Sequence, residues 1–453
     1  MAYLSKKGRR PGEYASKSAH VHVVNSPSVQ SFLAQCNLPK RAEEVALSQH
    51  TVEAVAPSAH NPIRFIVAID GGYSEVPVQV EFPSATIAFF QFGALTFSIQ
   101  DLEDLEHQPF IDPDDMSKLK QIQRLELILP IRNVTLQGQP TLTHSVRKAI
   151  YDFFRTSMDE GLKTLRWFLF EEYNPTTGAW NLASCPNCRE RNIALHRNQI
   201  LRDFTFQCPQ CTETIYITDV FRLHEVIDDE IGAGGILGYV TTTIEQMLLV
   251  HLIRLIMETK PSLLNEILFI KDGPLAFFGQ TANMHKPMRS LIRYLQRQRN
   301  LFLAGLEKSG PFVEHADEIA RKINAGHFLI IDNDYIYKYI IPGHPDSARP
   351  YGVTTYYGNK LIFRSIDEKV YVVTLPTSEV LAHPQEKDFL NLQVILKNVE
   401  KLRCDMYDDA LFPIALVNKL VSLSDHPSSR ILQKFAVDTM NITRSKHVLA
   451  TIK

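Results

Sequence analysis

The chain has 453 residues, 45% hydrophobic and 22% charged, the composition of a folded globular protein and not of a disordered or fibrous one. Its 48 Lys and Arg against 50 Asp and Glu leave a formal net charge of −2, so any surface for a polyanion has to be a local patch. Length allows two or three domains or one elaborated α/β domain with an insertion, and six cysteines, four of them in C-x-x-C pairs without an export signal, speak against a secreted disulfide scaffold.

Up to about residue 25 the chain is polar and basic, with Ser5-Lys6-Lys7-Gly8-Arg9-Arg10, and reads as a poorly ordered arm without the apolar core of a signal peptide. The spacing of Val29, Phe32, Leu33 and Cys36, then of Ala42, Val45 and Ala46, predicts short helices. Next comes Ile63-Arg64-Phe65-Ile66-Val67-Ala68-Ile69-Asp70-Gly71-Gly72, an apolar run that reads as a buried strand delivering Asp70 at its C-terminal end onto a glycine turn. Asp-Gly is also an ordinary turn sequence, so this element gains meaning only from a second one like it. Residues 76–82 and 86–99 predict two further strands that extend the first as an antiparallel hairpin. Residues 102–117 read as acidic loop and 117–125 as helix, followed by Glu126, a lesser candidate for a metal ligand. Helical spacing returns at 143–158 and 162–170.

The sharpest local motif is Cys185-Pro-Asn-Cys188, nineteen residues, then Cys208-Pro-Gln-Cys211. Two such knuckles supply four thiolates in tetrahedral geometry, and the flanking Phe204, Phe206, Ile215, Tyr216 and Ile217 suit a zinc ribbon; four protein ligands leave no open position, so the Zn²⁺ is expected to be structural. Gly232-Ala-Gly-Gly235 reads as a flexible joint, since no Gly-Lys-Ser/Thr follows it. A strongly apolar helix over 242–258 carries Glu245 in its first turn, where a carboxylate ordinarily serves the helix dipole. The second acidic strand follows: Ile267-Leu268-Phe269-Ile270-Lys271-Asp272-Gly273. Strands of this design placed side by side would aim Asp70 and Asp272 at one place. Lys286, Arg289, Arg293 and Arg297 then form a basic helical stripe, either a solvated face or a track for phosphates. Leu301 to Ser309 reads as a strand ending on Lys308. A strand at 329–331, a Tyr-rich stretch at 335–341, a late hairpin over 351–375 and helices near 389–402, 413–423 and 429–440 close the chain. Residues 247–257 are interrupted by His251 and Arg254, so no stretch is expected to span a bilayer, and the protein is expected to be soluble and cytoplasmic.

The order of these pieces resembles the NurA nuclease family, partners of HerA-type hexameric ATPases. The resemblance is carried by Ile69-Asp70-Gly71-Gly72 before a hairpin, the helical Glu245, Ile270-Lys271-Asp272-Gly273-Pro274-Leu275, Gly305-Leu306-Glu307-Lys308-Ser309, and Phe412-Pro413-Ile414-Ala415-Leu416-Val417-Asn418. It covers residues 60–425 without the zinc insertion, and it departs from the family pattern at Pro274 and at Asn418, where a His would be expected. It implies a ribonuclease H-like mixed sheet flanked by helices, Mn²⁺- or Mg²⁺-dependent endonuclease and 5′–3′ exonuclease action on DNA, a homodimer, and docking on a HerA-type ring in DNA end processing or antiphage defence.

The expected organisation is an N-terminal arm with short helices (1–60), the first half of a nuclease core (61–170), a zinc-ribbon insertion (171–225) and the second half of the core (226–453). In a two-ion phosphodiesterase, Asp70 would bridge both ions, Asp272 and Glu245 would each bind one, and Lys308 would offset charge on the phosphate. Oxygen donors of this kind select Mg²⁺ or Mn²⁺. Two other classes use the same pieces: a non-catalytic DNA-binding adaptor for an ATPase, and an integrase-like polynucleotidyl transferase.

Overall fold

Long apolar strands that are covered on both sides dominate the molecule, and they assemble into one sheet. The computed structural model describes residues 19–50, 52–56, 60–79, 84–100, 122–174, 178–404, 411–424 and 427–451. Two short helices, α1 (Ala19–Val24) and α2 (Pro27–Ala34), precede strand β1 (Val52–Ala54). Strands β2 (Phe65–Gln79), β3 (Ala85–Ser98) and β4 (Ile122–Arg132) follow, then helices α3 (Leu142–Asp152) and α4 (Gly161–Leu169). The cysteine region forms two hairpins, β5 (Ala179–Ser184) with β6 (Arg191–His196) and β7 (Thr205–Gln207) with β8 (Thr214–Tyr216). Helix α5 (Leu237–Thr259), strand β9 (Ile267–Asp272), helix α6 (His285–Gln298) and strand β10 (Phe302–Glu307) come next. The chain ends with α7 (Pro311–Ile319), β11 (His327–Ile330), α8 (Asn333–Tyr339), β12 (Gly358–Arg364), β13 (Val370–Pro376), α9 (Leu392–Lys401), α10 (Phe412–Val421) and α11 (Ser428–Thr451).

Among the described residues the main sheet has nine strands in the order β1-β11-β12-β13-β10-β9-β2-β3-β4. The pairs β2 with β9 and β9 with β10 are parallel, and the remaining pairs are antiparallel. Successive residues of a strand point to opposite faces, so β2 feeds two cores: Val67 and Ile69 pack with α3, α4 and α5, while Ile66 and Ala68 pack with α9 and α10. Cover on both faces explains why these strands read as unbroken apolar runs. Cys185, Phe206 and Ile215 belong to the same core as Val67 and Leu248, so the two cysteine hairpins are packed onto the sheet layer. A buried Arg147–Asp219 ion pair at 2.8 Å fastens them to α3.

Several expectations need correction. Asp70 does not end a strand, and residues 76–79 are not a separate one; β2 runs through Asp70-Gly71-Gly72 to Gln79, paired with β3 along its length. The glycines serve close approach instead of a turn. A Cβ on Gly71 would meet Phe92 at 2.6 Å and Thr241 of α5 at 3.2 Å, and one on Gly72 would meet the Val421 carbonyl of α10 at 2.7 Å, so the pair lets a helix settle on each side of the strand. At Asp272-Gly273 the turn is real, with Gly273 at φ +81°. Glu245 is not in a first turn, because the glycine joint winds through Gly234–Ile236 directly into α5 and the helix starts at Leu237. Gly234–Thr259 is also long and apolar enough to cross a membrane, but 78% of its apolar window is buried inside the fold, where it is a core helix. Residues 122–125 are strand; the loop expected at 102–117, the rest of the 117–125 helix and most of the N-terminal arm lie outside the described residues.

Candidate functional site

The alternation of side chains along β2 and β9 decides which groups meet. The two strands run parallel with Ile69 opposite Lys271, which puts Asp70 and Asp272 one step further along on neighbouring strands. Both belong to the even-numbered face, that of Ile66, Ala68, Leu268 and Ile270, which α10 covers. From α10, Asn418 Nδ2 donates to Asp70 Oδ2 at 2.9 Å, while the Gly71 amide donates to Oδ1 at 2.8 Å. Lys308, just past the end of β10, meets Asp272 Oδ2 at 2.6 Å.

Lys271 belongs to the opposite face, and it finds Glu245 there: the ammonium lies 2.9 Å from Glu245 Oε2, with both side chains buried. Its Nζ also donates to the Asp272 carbonyl. Glu245 is thus held by a buried lysine of the strand that carries Asp272. Among the described residues, the sets whose ligand atoms all lie within 4.8 Å of one another are the four cysteines and Asp332, Asp334 and His383. Asp70 and Asp272 stand on neighbouring strands, and Glu245, ion-paired to Lys271, is close enough to feel both of their charges. Lys271 is the residue that sequence reasoning missed; its odd position in an alternating strand was the available signal.

Burial is the main cause that pushes Asp70, only 3% exposed, up to about 6, and the Asp272 charge adds to it. Asn418, Lys308 and the Gly71 amide pull in the other direction. Burial likewise raises Glu245 to about 7 against the pull of Lys271, with Asp70 and Asp272 contributing further repulsion. Three carboxylates stand here against the two lysines, and their hard oxygens suit a divalent cation such as Mg²⁺ or Mn²⁺.

The remaining candidates are placed elsewhere. Glu126 lies on β4, exposed and opposite Gln91 of β3, two strands away from Asp70. The basic stripe on α6 is not continuous. Arg289 donates through Nε to the Tyr356 carbonyl and through Nη2 to the Val353 carbonyl, both at 2.8 Å, so its guanidinium braces the loop before β12. Arg293 lies 3.5 Å from Glu379, whereas Lys286 and Arg297 are exposed.

In the cysteine hairpins each C-x-x-C occupies the turn, Cys185 and Cys188 between β5 and β6, Cys208 and Cys211 between β7 and β8. Cys185 Sγ is 3.8 Å from Cys211 Sγ, and Cys188 Sγ is 3.7 Å from Cys208 Sγ. A tetrahedron with metal–sulfur bonds of about 2.3 Å has edges of about 3.8 Å, so the four sulfurs fit one ion of that geometry. The Asn187 amide, 3.4 Å from Cys185 Sγ, points a donor at the thiolate it would stabilise.

No protein-family model matches the chain, and no curated protein matches it. Among solved structures it is similar to the NurA nuclease from Sulfolobus solfataricus, with 8% sequence identity and a TM-score of 0.32, over 94% of this chain and 96% of that one.

Proposed function

We propose that the chain is a metal-dependent DNA nuclease that hydrolyses phosphodiester bonds. The observation that carries the reading is the adjacency of Asp70 and Asp272 on parallel strands, with the ammonium of Lys308 on the second carboxylate. Two carboxylates on adjacent inner strands, one of them nearly buried, repel each other more than Lys308 and Asn418 offset; a bound cation would balance the remainder. Divalent ions held there supply Lewis acidity and a bound water acidic enough to attack at neutral pH. Asp70 and Asp272 are the donors that would hold them. Asn418 fixes the orientation of the Asp70 carboxylate, and Lys308 offers positive charge to a phosphate oxygen. Glu245 neutralises Lys271 and contributes its charge from the other face of the sheet.

The finer parts of the reading are supported by the order of sequence motifs. They comprise a ribonuclease H-like core built on β4-β3-β2-β9-β10, endonuclease and 5′–3′ exonuclease action, a homodimer, a HerA-type ATPase partner, and a structural Zn²⁺ on the four cysteines. Incubating the protein with end-labelled single- and double-stranded DNA in EDTA, Mg²⁺ or Mn²⁺, with and without the cognate ATPase, tests them together. Cleavage that needs the cation and disappears in Asp272→Ala supports the nuclease. DNA binding without cleavage under every condition would replace it with an adaptor.

A further inference from the structure

Between the first cysteine knuckle, the start of α3 and the 222–230 loop lies a cavity of 930 Å³ that shares no residue with the carboxylate site. That size is within the range of about 300–1,000 Å³ typical of small-molecule sites. Its carboxylates are largely committed. Asp228 Oδ1 accepts the Glu230 and Ile231 amides at 2.9 and 2.8 Å, and Asp229 Oδ1 accepts the Thr143 amide and hydroxyl at 2.7 and 2.9 Å. Glu225 receives both Arg222 Nε and Nη2, at 3.0 and 2.6 Å. Glu230 stays exposed on the rim. Facing these, Arg189 and Arg191 line the cavity as exposed cations that pair with no carboxylate among the described residues.

His224 provides the second, independent observation. Its side chain, 5% exposed, lines the same cavity, and neither ring nitrogen has a hydrogen-bond partner. The neighbouring Asp219 Oδ1 stands 4.0 Å away and already accepts from Arg147 Nε. Burial, the largest influence, holds the imidazole below its ordinary value and therefore neutral, with one donor and one acceptor unspent. A buried polar group in that state is destabilising, and a ligand group bonded to it from the cavity side would relieve that cost. Pro186 and Ile227 add apolar wall.

We infer that this cavity binds a nucleoside monophosphate unit, either a free nucleotide or the phosphorylated end of a strand, with Arg189 and Arg191 on the phosphate and His224 on the edge of the base. The site stands independently of the nuclease reading, because its evidence and its readout are binding alone.

Calorimetric titration of the full chain with AMP, with inorganic phosphate, and with an oligothymidylate carrying either a 5′-phosphate or a 5′-hydroxyl tests the inference. Saturable binding of AMP, or a gain in oligonucleotide affinity from the 5′-phosphate that AMP removes by competition, is the expected result; the first indicates a free nucleotide and the second a strand end. Arg189→Ala and Arg191→Ala, both at exposed positions, should each weaken binding by about tenfold, the value of one charge-assisted hydrogen bond. His224→Phe should weaken it as well while raising the melting temperature. The inference is overturned if no probe binds saturably, if the double arginine variant keeps wild-type affinity, or if His224→Phe binds AMP unchanged. Displacement of AMP by an equal concentration of inorganic phosphate would also overturn it, reducing the cavity to an anion patch.

Discussion

Asn418 Nδ2 donates a 2.9 Å hydrogen bond to Asp70 Oδ2, joining the last part of the chain to the strand at its centre. A donor on a carboxylate favours the ionised form, and this one opposes the burial and the Asp272 charge that raise Asp70 to about 6. Asn418→Ala should therefore move the acid limb of the pH–cleavage profile upward, by about one unit, with a smaller change on the alkaline side. An acid limb in the same place as wild type would exclude this contact as a control on Asp70.

Asp70→Ala and Asp272→Ala should each abolish cleavage in Mn²⁺ and leave the fold intact. Asp70→Asn separates charge from shape. The carboxyl rises from an ordinary 3.8 to about 6 in the fold, so its favourable contribution is complete below pH 3.8 and is lost as the pH climbs through 6. Without added divalent cation, Asp70→Asn should then be more stable than wild type by about 3 kcal/mol at pH 8 and no more stable near pH 4. Denaturant melts at the two pH values check the difference, and equal stabilities at pH 8 would contradict the burial argument.

The Glu245–Lys271 pair predicts a different pattern. Both side chains are buried, so Glu245→Ala leaves an unpaired ammonium in the core and should cost about 3–5 kcal/mol. Glu245→Leu combined with Lys271→Met removes both charges and should recover most of that loss. Thermal melts of the single and double variants decide it; an unchanged melting temperature in Glu245→Ala would show that the pair does not hold in solution.

One Zn²⁺ per chain should be found by metal analysis of protein prepared without chelators. Cys208→Ser should open the region from β5 to β8 to proteolysis, because a missing ligand undoes the link between the two hairpins. The Asp70–Asn418 contact belongs to other elements, so residual DNA binding is expected to survive. A zinc-free protein with protected hairpins would refute the metal assignment.

The α6 cations should divide into two kinds. Arg289→Ala loses hydrogen bonds to two carbonyls of the 353–356 loop and should destabilise by about 2 kcal/mol. Lys286→Glu with Arg297→Glu should leave the melting temperature nearly unchanged while weakening single-stranded DNA binding and reducing the salt slope by about 0.7 for each phosphate no longer neutralised. If the slope does not move, α6 is not the DNA track.

Local chemistry was legible in the sequence where a short window contains its own geometry. The two C-x-x-C knuckles announced a four-sulfur site, because a tetrahedral ligand set needs little beyond two turns brought together. The apolar runs ending in Asp70 and Asp272 announced buried strands, and their adjacency followed once both were placed in one sheet. What the tertiary structure alone decided was the facing of each group. Whether Glu245 meets Lys271 depends on which side of the sheet α5 covers, and a one-residue step along a strand reverses that side. The same is true of Gly71 and Gly72, which read as a turn in isolation but act as clearances for two helices packed from opposite faces. Arg289 shows the limit most simply: its place on a basic stripe is a property of helical spacing, whereas the carbonyls of Val353 and Tyr356 that occupy it come from a loop more than sixty residues away.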